Sequence, residues 1–129
     1  MNKLDKKSVI GISALLVHAA NIDEIYSAHE KDLIKKFIKS YLRDEDESEI
    51  LKEAENIENN SNQLLNYTNI IKQNTMEIKK DIIEHLWNVI ISDNTVDQYE
   101  ANLMRRICGL IYFPDKESAE IKLKLTNNR

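Results

Sequence analysis

Three carboxylates, Asp93, Asp97 and Glu100, stand close enough in the chain to meet in one loop. Carboxylate oxygens are the ligands that calcium and magnesium take, so these residues are a candidate divalent-cation site. A sparser copy, Asp23 and Glu30, precedes it. The same acids also have a purely architectural reading. Asp97-Gln98-Tyr99-Glu100 has the form of a capping box, in which the N-cap side chain takes the amide of the third helical residue and that residue's carboxylate reaches back. Asp23 and Asp93 then serve as turn formers. Calcium takes about six to eight oxygens, more than one such loop supplies without carbonyls, water or the other loop. Capping and cation binding both stay open on the sequence.

Other chemistry finds less to work with. His18, His29 and His85 share no ligand spacing, and Cys108 is alone, which excludes an intramolecular disulfide and a cysteine zinc cluster. With two Gly and one Pro there is no phosphate-cradling glycine loop. No nucleophile stands at a useful spacing from a base, so the expectation is a non-enzymatic protein, with a metal-assisted hydrolase as the weaker alternative.

The elements that must position these residues are helices. Antiparallel sheets need turn residues every eight to twelve positions or so, and three breakers in 129 residues cannot supply them. The spacing predicts an all-α domain of six or seven helices. Capping boxes at Ser27–Glu30, Asp46–Glu49, Asn74–Glu77 and Asp97–Glu100 mark helix starts. Apolar residues at three and four predict helices over about 5–20, 27–41, 47–59, a short one after Ser61 through Tyr67, 75–91 and 98–108. Gly109 is read as the residue that ends the sixth. The tail after Pro114 alternates like a strand but has no partner, so it is assigned to a short terminal helix. The helix over 75–91 is apolar almost all round and is therefore placed centrally, with Trp87 as a core anchor. The predicted core contains Leu16, Phe37, Ile82, Leu86, Trp87, Leu103 and Ile107.

A repeat runs through this pattern. Asp23 aligns with Asp93 and Glu30 with Glu100 at a constant offset of 70, which also pairs Leu16 with Leu86, Leu33 with Leu103 and Phe37 with Ile107. Two helical hairpins, about 9–42 and 75–111, are expected to pack about a pseudo-two-fold axis within a single domain over 1–129. Acidic and short helices at about 44–72 connect them, and 114–129 forms the terminal helix.

Leu15-Leu16-Val17-His18-Ala19-Ala20-Asn21-Ile22-Asp23 and Glu84-His85-Leu86-Trp87-Asn88-Val89-Ile90-Ile91-Ser92-Asp93 resemble the two signature stretches of the TerB-like family, the tellurite-resistance protein B relatives. That family in turn resembles the N-terminal domain of a membrane-anchored DnaJ-type co-chaperone. The similarity spans roughly residues 9 to 125. The resemblance implies a compact helical domain associated with stress response and partner recruitment, with acidic loops that bind a divalent metal. The family's loop glycine is replaced here by Glu24 and Asn94, and its second loop acid in the first copy by Ser27. A metal set carried over from the family therefore falls on Asp93, Asp97 and Glu100 rather than on Asp23 and Glu30.

Charge is divided along the chain. Lys31, Lys35 and Lys39 form one stripe of the second helix, and from Asp44 to Glu58 eight acids stand against the single Lys52. The acidic segment, with Glu49, Glu53 and Glu55, is the expected docking surface for a basic protein partner. The lysine stripe is the alternative, as an adaptor for an anionic membrane surface or nucleic acid. A net charge of −4 makes nucleic acid an unexpected partner. The apolar run from Val9 to Ala20 is shorter than the roughly 20 residues of a membrane span and lacks a small-residue cleavage site, so a cytoplasmic protein is expected.

The two readings of the 93–100 loop separate experimentally. Asn caps about as well as Asp, so Asp97→Asn is neutral for a pure cap while Asp97→Ala costs about 1 kcal/mol. A bound cation instead makes millimolar calcium or magnesium raise the melting temperature, a rise that Asp97→Asn and Asp93→Asn abolish in calorimetry.

Overall fold

The computed structural model describes residues 4–21, 26–60, 64–91 and 98–127. Among these, seven helices and no strand are present: α1 (Lys6–Ala20), α2 (Ala28–Tyr41), α3 (Glu47–Asn60), α4 (Leu64–Lys72), α5 (Met76–Ile91), α6 (Gln98–Ile111) and α7 (Asp115–Asn127). The all-α expectation holds, and the segment after Pro114 is a helix of full length. Its strand-like alternation buries only Ser118 and Ile121, because helical neighbours, not a sheet, receive it.

Local chemistry explains the starts. Asp5 caps α1 by accepting the Ser8 amide at 2.7 Å. Ser27 and Glu30 form both halves of the expected capping box: the Glu30 amide donates to Ser27 Oγ at 3.1 Å, and the Ser27 amide to Glu30 Oε1 at 2.8 Å. At α3 only half the expected box forms. Asp46 takes the Ser48 amide at 2.9 Å, and Glu49 is left facing solvent. At α5 the cap is Thr75, whose Oγ1 accepts the Ile78 amide at 3.3 Å, whereas the Asn74 side chain turns back to the Ile70 carbonyl at 2.7 Å and closes α4. Asn74–Glu77 therefore joins two helices instead of boxing one. Asp97 and Ser61 lie outside the described residues.

The end of α6 also departs from expectation. Gly109 lies inside the helix. The chain leaves α6 at Tyr112, whose φ of 60° is left-handed, and the Phe113 amide donates to the Cys108 carbonyl at 2.9 Å. That bond spans a Schellman turn, normally built on glycine, here on an exposed tyrosine stacked under the Lys72 ammonium at 4.9 Å.

Every residue of the predicted core is buried, and one contiguous apolar cluster runs through all seven helices. The central position is shared. α5 packs on α1, α2, α4 and α7, but α1 packs on α2, α3, α4 and α5 and is buried around most of its circumference from Val9 to Ala20. Sequence periodicity placed only α5 centrally, whereas α1, with Val9, Ile12, Leu15, Leu16 and Val17 buried on several sides, is as central. Gly11 marks a close approach: a Cβ there would stand 2.5 Å from Ile70 Cδ1 of α4.

Two substitutions test this packing with opposite signs. Leu86→Ala empties a fully buried site and lowers the unfolding free energy by about 2–5 kcal/mol. Gly109→Ala meets nothing within 4 Å, and in a helix interior it raises stability by about 0.5–1 kcal/mol. Denaturant titration reads both.

Candidate functional site

Of the loop acids singled out in the sequence, Asp23, Asp93 and Asp97 lie outside the described residues. Glu30 and Glu100 are described, each buried at the third position of its helix. One Glu30 oxygen is taken by the Ser27 amide, which is the capping role. Among the described residues no group of three or more His, Cys, Asp or Glu side chains could hold a metal ion. The described residues thus do not form a cation site by themselves, and that reading rests on the loop aspartates.

The acidic helix α3 is divided by its packing. Ile50, Leu51 and Ala54 anchor its inner face. On that side Glu58 is buried and receives two donors, the His18 ring through Nδ1 at 2.6 Å and the Tyr67 hydroxyl at 2.9 Å. Three helices, α1, α3 and α4, meet at this one carboxylate. Glu55 is half-buried and accepts the Tyr26 hydroxyl at 2.7 Å. Burial, then the adjoining carboxylate, pushes the Tyr26 and Tyr67 phenols well above their ordinary range, so both remain protonated donors. Glu55 therefore does not belong with Glu49 and Glu53 as a free docking residue. Those two are exposed on the outer edge and form no ion pair among the described residues.

Beside that edge lies an apolar groove of about 510 Å3, between α1, α3 and α4. Ile10, Gly11, Ile57 and Ile70 line it, with Lys6, Lys7 and Glu53 as its charged residues. Ile57 continues the apolar spacing of Ile50, Leu51 and Ala54 along α3, yet it is 38% exposed. Its position lies between the buried face and the outer edge, where periodicity alone does not choose.

The lysine stripe is partly consumed within the fold. Lys39 pairs with Glu47 at 3.4 Å, and the Lys31 ammonium lies over the Tyr26 ring at 4.9 Å. Lys35 is half-buried. Trp87 is a core anchor: its indole N–H donates to Ser118 Oγ at 2.9 Å, and Lys122 covers its ring. Cys108 is buried, and burial pushes its thiol up, which disfavours the reactive thiolate.

A polar cluster that the sequence did not reveal joins α2 to α5. The Tyr41 hydroxyl donates to Asp81 Oδ2 at 2.6 Å, and His85 stands 3.7 Å from the other Asp81 oxygen with its ring edge-on to Phe37. Burial holds the His85 imidazole below its ordinary pKa, against the opposing pull of Asp81 and Glu84. The unfolded chain therefore binds this proton at a higher pH than the folded chain does. The contribution of His85 to stability is complete above about pH 6.5 and declines as the pH falls from there toward the folded pKa. Denaturant titrations at about pH 7.5 and about pH 5.5 should show the wild type losing stability on acidification, and His85→Gln losing less.

The comparisons with known proteins agree with the signature stretches. A family model described as tellurite resistance protein TerB matches residues 10–123. No curated protein and no solved structure matches the chain. No helix among the described residues is long and apolar enough to cross a membrane. With the family model covering α2 to α6 whole and most of α1 and α7, the chain belongs to the TerB family, as a helical module of the tellurite-resistance kind.

Proposed function

We propose that this chain is a non-catalytic adaptor in stress physiology that docks a basic protein partner along the outer edge of α3. One observation carries the reading. Glu49 and Glu53 are exposed and free of ion pairs among the described residues, and Glu53 lines the apolar groove together with Ile57 and Ile10. A contact surface needs an apolar centre for affinity and a charged rim for orientation and encounter rate, and this edge offers both side by side. The rival reading, an anionic membrane or nucleic acid on the lysine stripe, is disfavoured because Lys39 and Lys31 already have partners within the fold.

Affinity capture from the native cytoplasm tests the proposal. Glu49→Gln with Glu53→Gln removes two exposed charges and leaves the buried Glu58 network intact. Exposed pairs contribute about 0.2–1 kcal/mol each, so the double variant should bind roughly 2- to 30-fold more weakly. The loss should shrink as salt is raised, with the melting temperature unchanged. Capture that is indifferent to both the variant and salt would move the interaction away from α3.

A further inference from the structure

A second groove, of about 450 Å3, runs between α4 and α6, lined by Leu64, Leu65, Arg105, Arg106, Gly109 and Leu110. Its chemistry differs from that of the α1/α3/α4 groove. Arg105 and Arg106 are exposed and form no ion pair among the described residues, on a chain whose net charge is −4. Leu65 beside them is 58% exposed, and Gly109 leaves the space above its Cα empty. An open channel with an apolar strip and two guanidiniums fits a helical ridge carrying carboxylates and an apolar residue one turn apart.

The chain carries such a ridge itself. On α3, Glu49, Glu53 and Ile57 follow at intervals of four, which sets them in one stripe, and all three are exposed. α3 cannot reach the α4/α6 groove of its own chain, because Ile50, Leu51 and Ala54 hold it against α1 and α2. We propose that the α4/α6 groove receives the α3 ridge of a second copy. Glu49 and Glu53 then meet Arg105 and Arg106, and Ile57 meets the strip of Leu65 and Leu110. This inference rests on the reading of α3 as a docking edge and takes the basic surface that it docks to be the Arg105 and Arg106 patch of a second copy, on a chain that is acidic as a whole. The two contacting surfaces are different, so the contact is heterologous and builds a ring or an open chain of copies.

Sedimentation velocity on the full chain tests the pairing. Over about 10–500 µM in roughly 0.15 M salt, the wild type should sediment faster as concentration rises, and less so at roughly 0.5 M salt. Arg105→Glu with Arg106→Glu, and separately Glu49→Lys with Glu53→Lys, each set like charges face to face and should raise the apparent Kd roughly tenfold or more. Mixed in equal amounts, the two double variants should associate again, because each then offers the other an opposite charge. Leu65→Ser should weaken association without altering the charge pattern. A wild type that stays monomeric over the whole range overturns the inference, as does a mixture that fails to recover association. A wild type that stays monomeric while Glu49→Gln with Glu53→Gln still weakens capture of another protein sinks only the second copy and leaves the docking edge standing. Loss of another protein's capture in the arginine variant, with no self-association, assigns the groove to a separate acidic partner and equally overturns it.

Discussion

α1 has to serve four neighbours at once, and most features of the molecule follow from how it does so. A helix surrounded on several sides cannot be large-featured on all of them, since interhelical distances of 8–10 Å or so are set by the side chains at each contact. α1 meets this with Gly11, Ser13, Ala14, Ala19 and Ala20 among its buried positions, beside the larger Val9, Ile12, Leu15, Leu16 and Val17. α3 and α4 both lean on α1 without packing closely on each other among the described residues. Ile10 is left half-buried between them, and the apolar groove lies there. A bulkier residue at 11 would collide with Ile70 and push α4 outward. Gly11 thus sets how closely α4 approaches the central helix on one side of the groove.

The buried carboxylate of Glu58 does for orientation what α1 does for position. Removing an ionised group from water is costly unless hydrogen bonds replace its hydration, and here the His18 ring and the Tyr67 hydroxyl supply them. Each donor comes from a different helix, so the arrangement is satisfied at one rotation of α3 about its axis. That rotation turns Glu49 and Glu53 outward and divides an evenly acidic sequence into a structural inner side and an available outer edge. The Tyr26–Glu55 hydrogen bond reinforces the same rotation at the flank.

Much of the fold was legible because its signals are local. A cap is read from four consecutive residues and an amphipathic face from fifteen, and the helices and core emerged from such windows. The misreadings have local causes as well. Asn74 and Thr75 are both good caps, and which one starts α5 depends on Asn74 being drawn to the Ile70 carbonyl behind it. Gly109 looked like a helix end because glycine favours a left-handed turn, yet Tyr112 takes that conformation three residues later. The candidate site was less legible because it is made of distances across the chain. His18 and Glu58 are 40 residues apart, as are Tyr41 and Asp81. No window of sequence announces either pair, and whether Ile57 is covered depends on how closely α4 approaches.

α4 connects these observations. At the offset that aligns α1 with α5 and α2 with α6, α3 falls on α7, and the packing runs in parallel: α3 lies on α1 and α2, and α7 on α5 and α6. α4 has no counterpart in this scheme. It leans on α1 and α6, and α6 is packed on α4 and α7 more closely than on α5, unlike α2, which packs directly on α1. An unmatched helix wedged between two similar halves leaves a seam on each side, because neither half supplies a mate for its exposed flanks. The two seams are the apolar groove with α1 and α3 and the arginine-edged groove with α6. A repeat that packed symmetrically would bury these flanks, and the interrupted one leaves two apolar grooves on a single chain, one edged by charges of both signs and one by arginines.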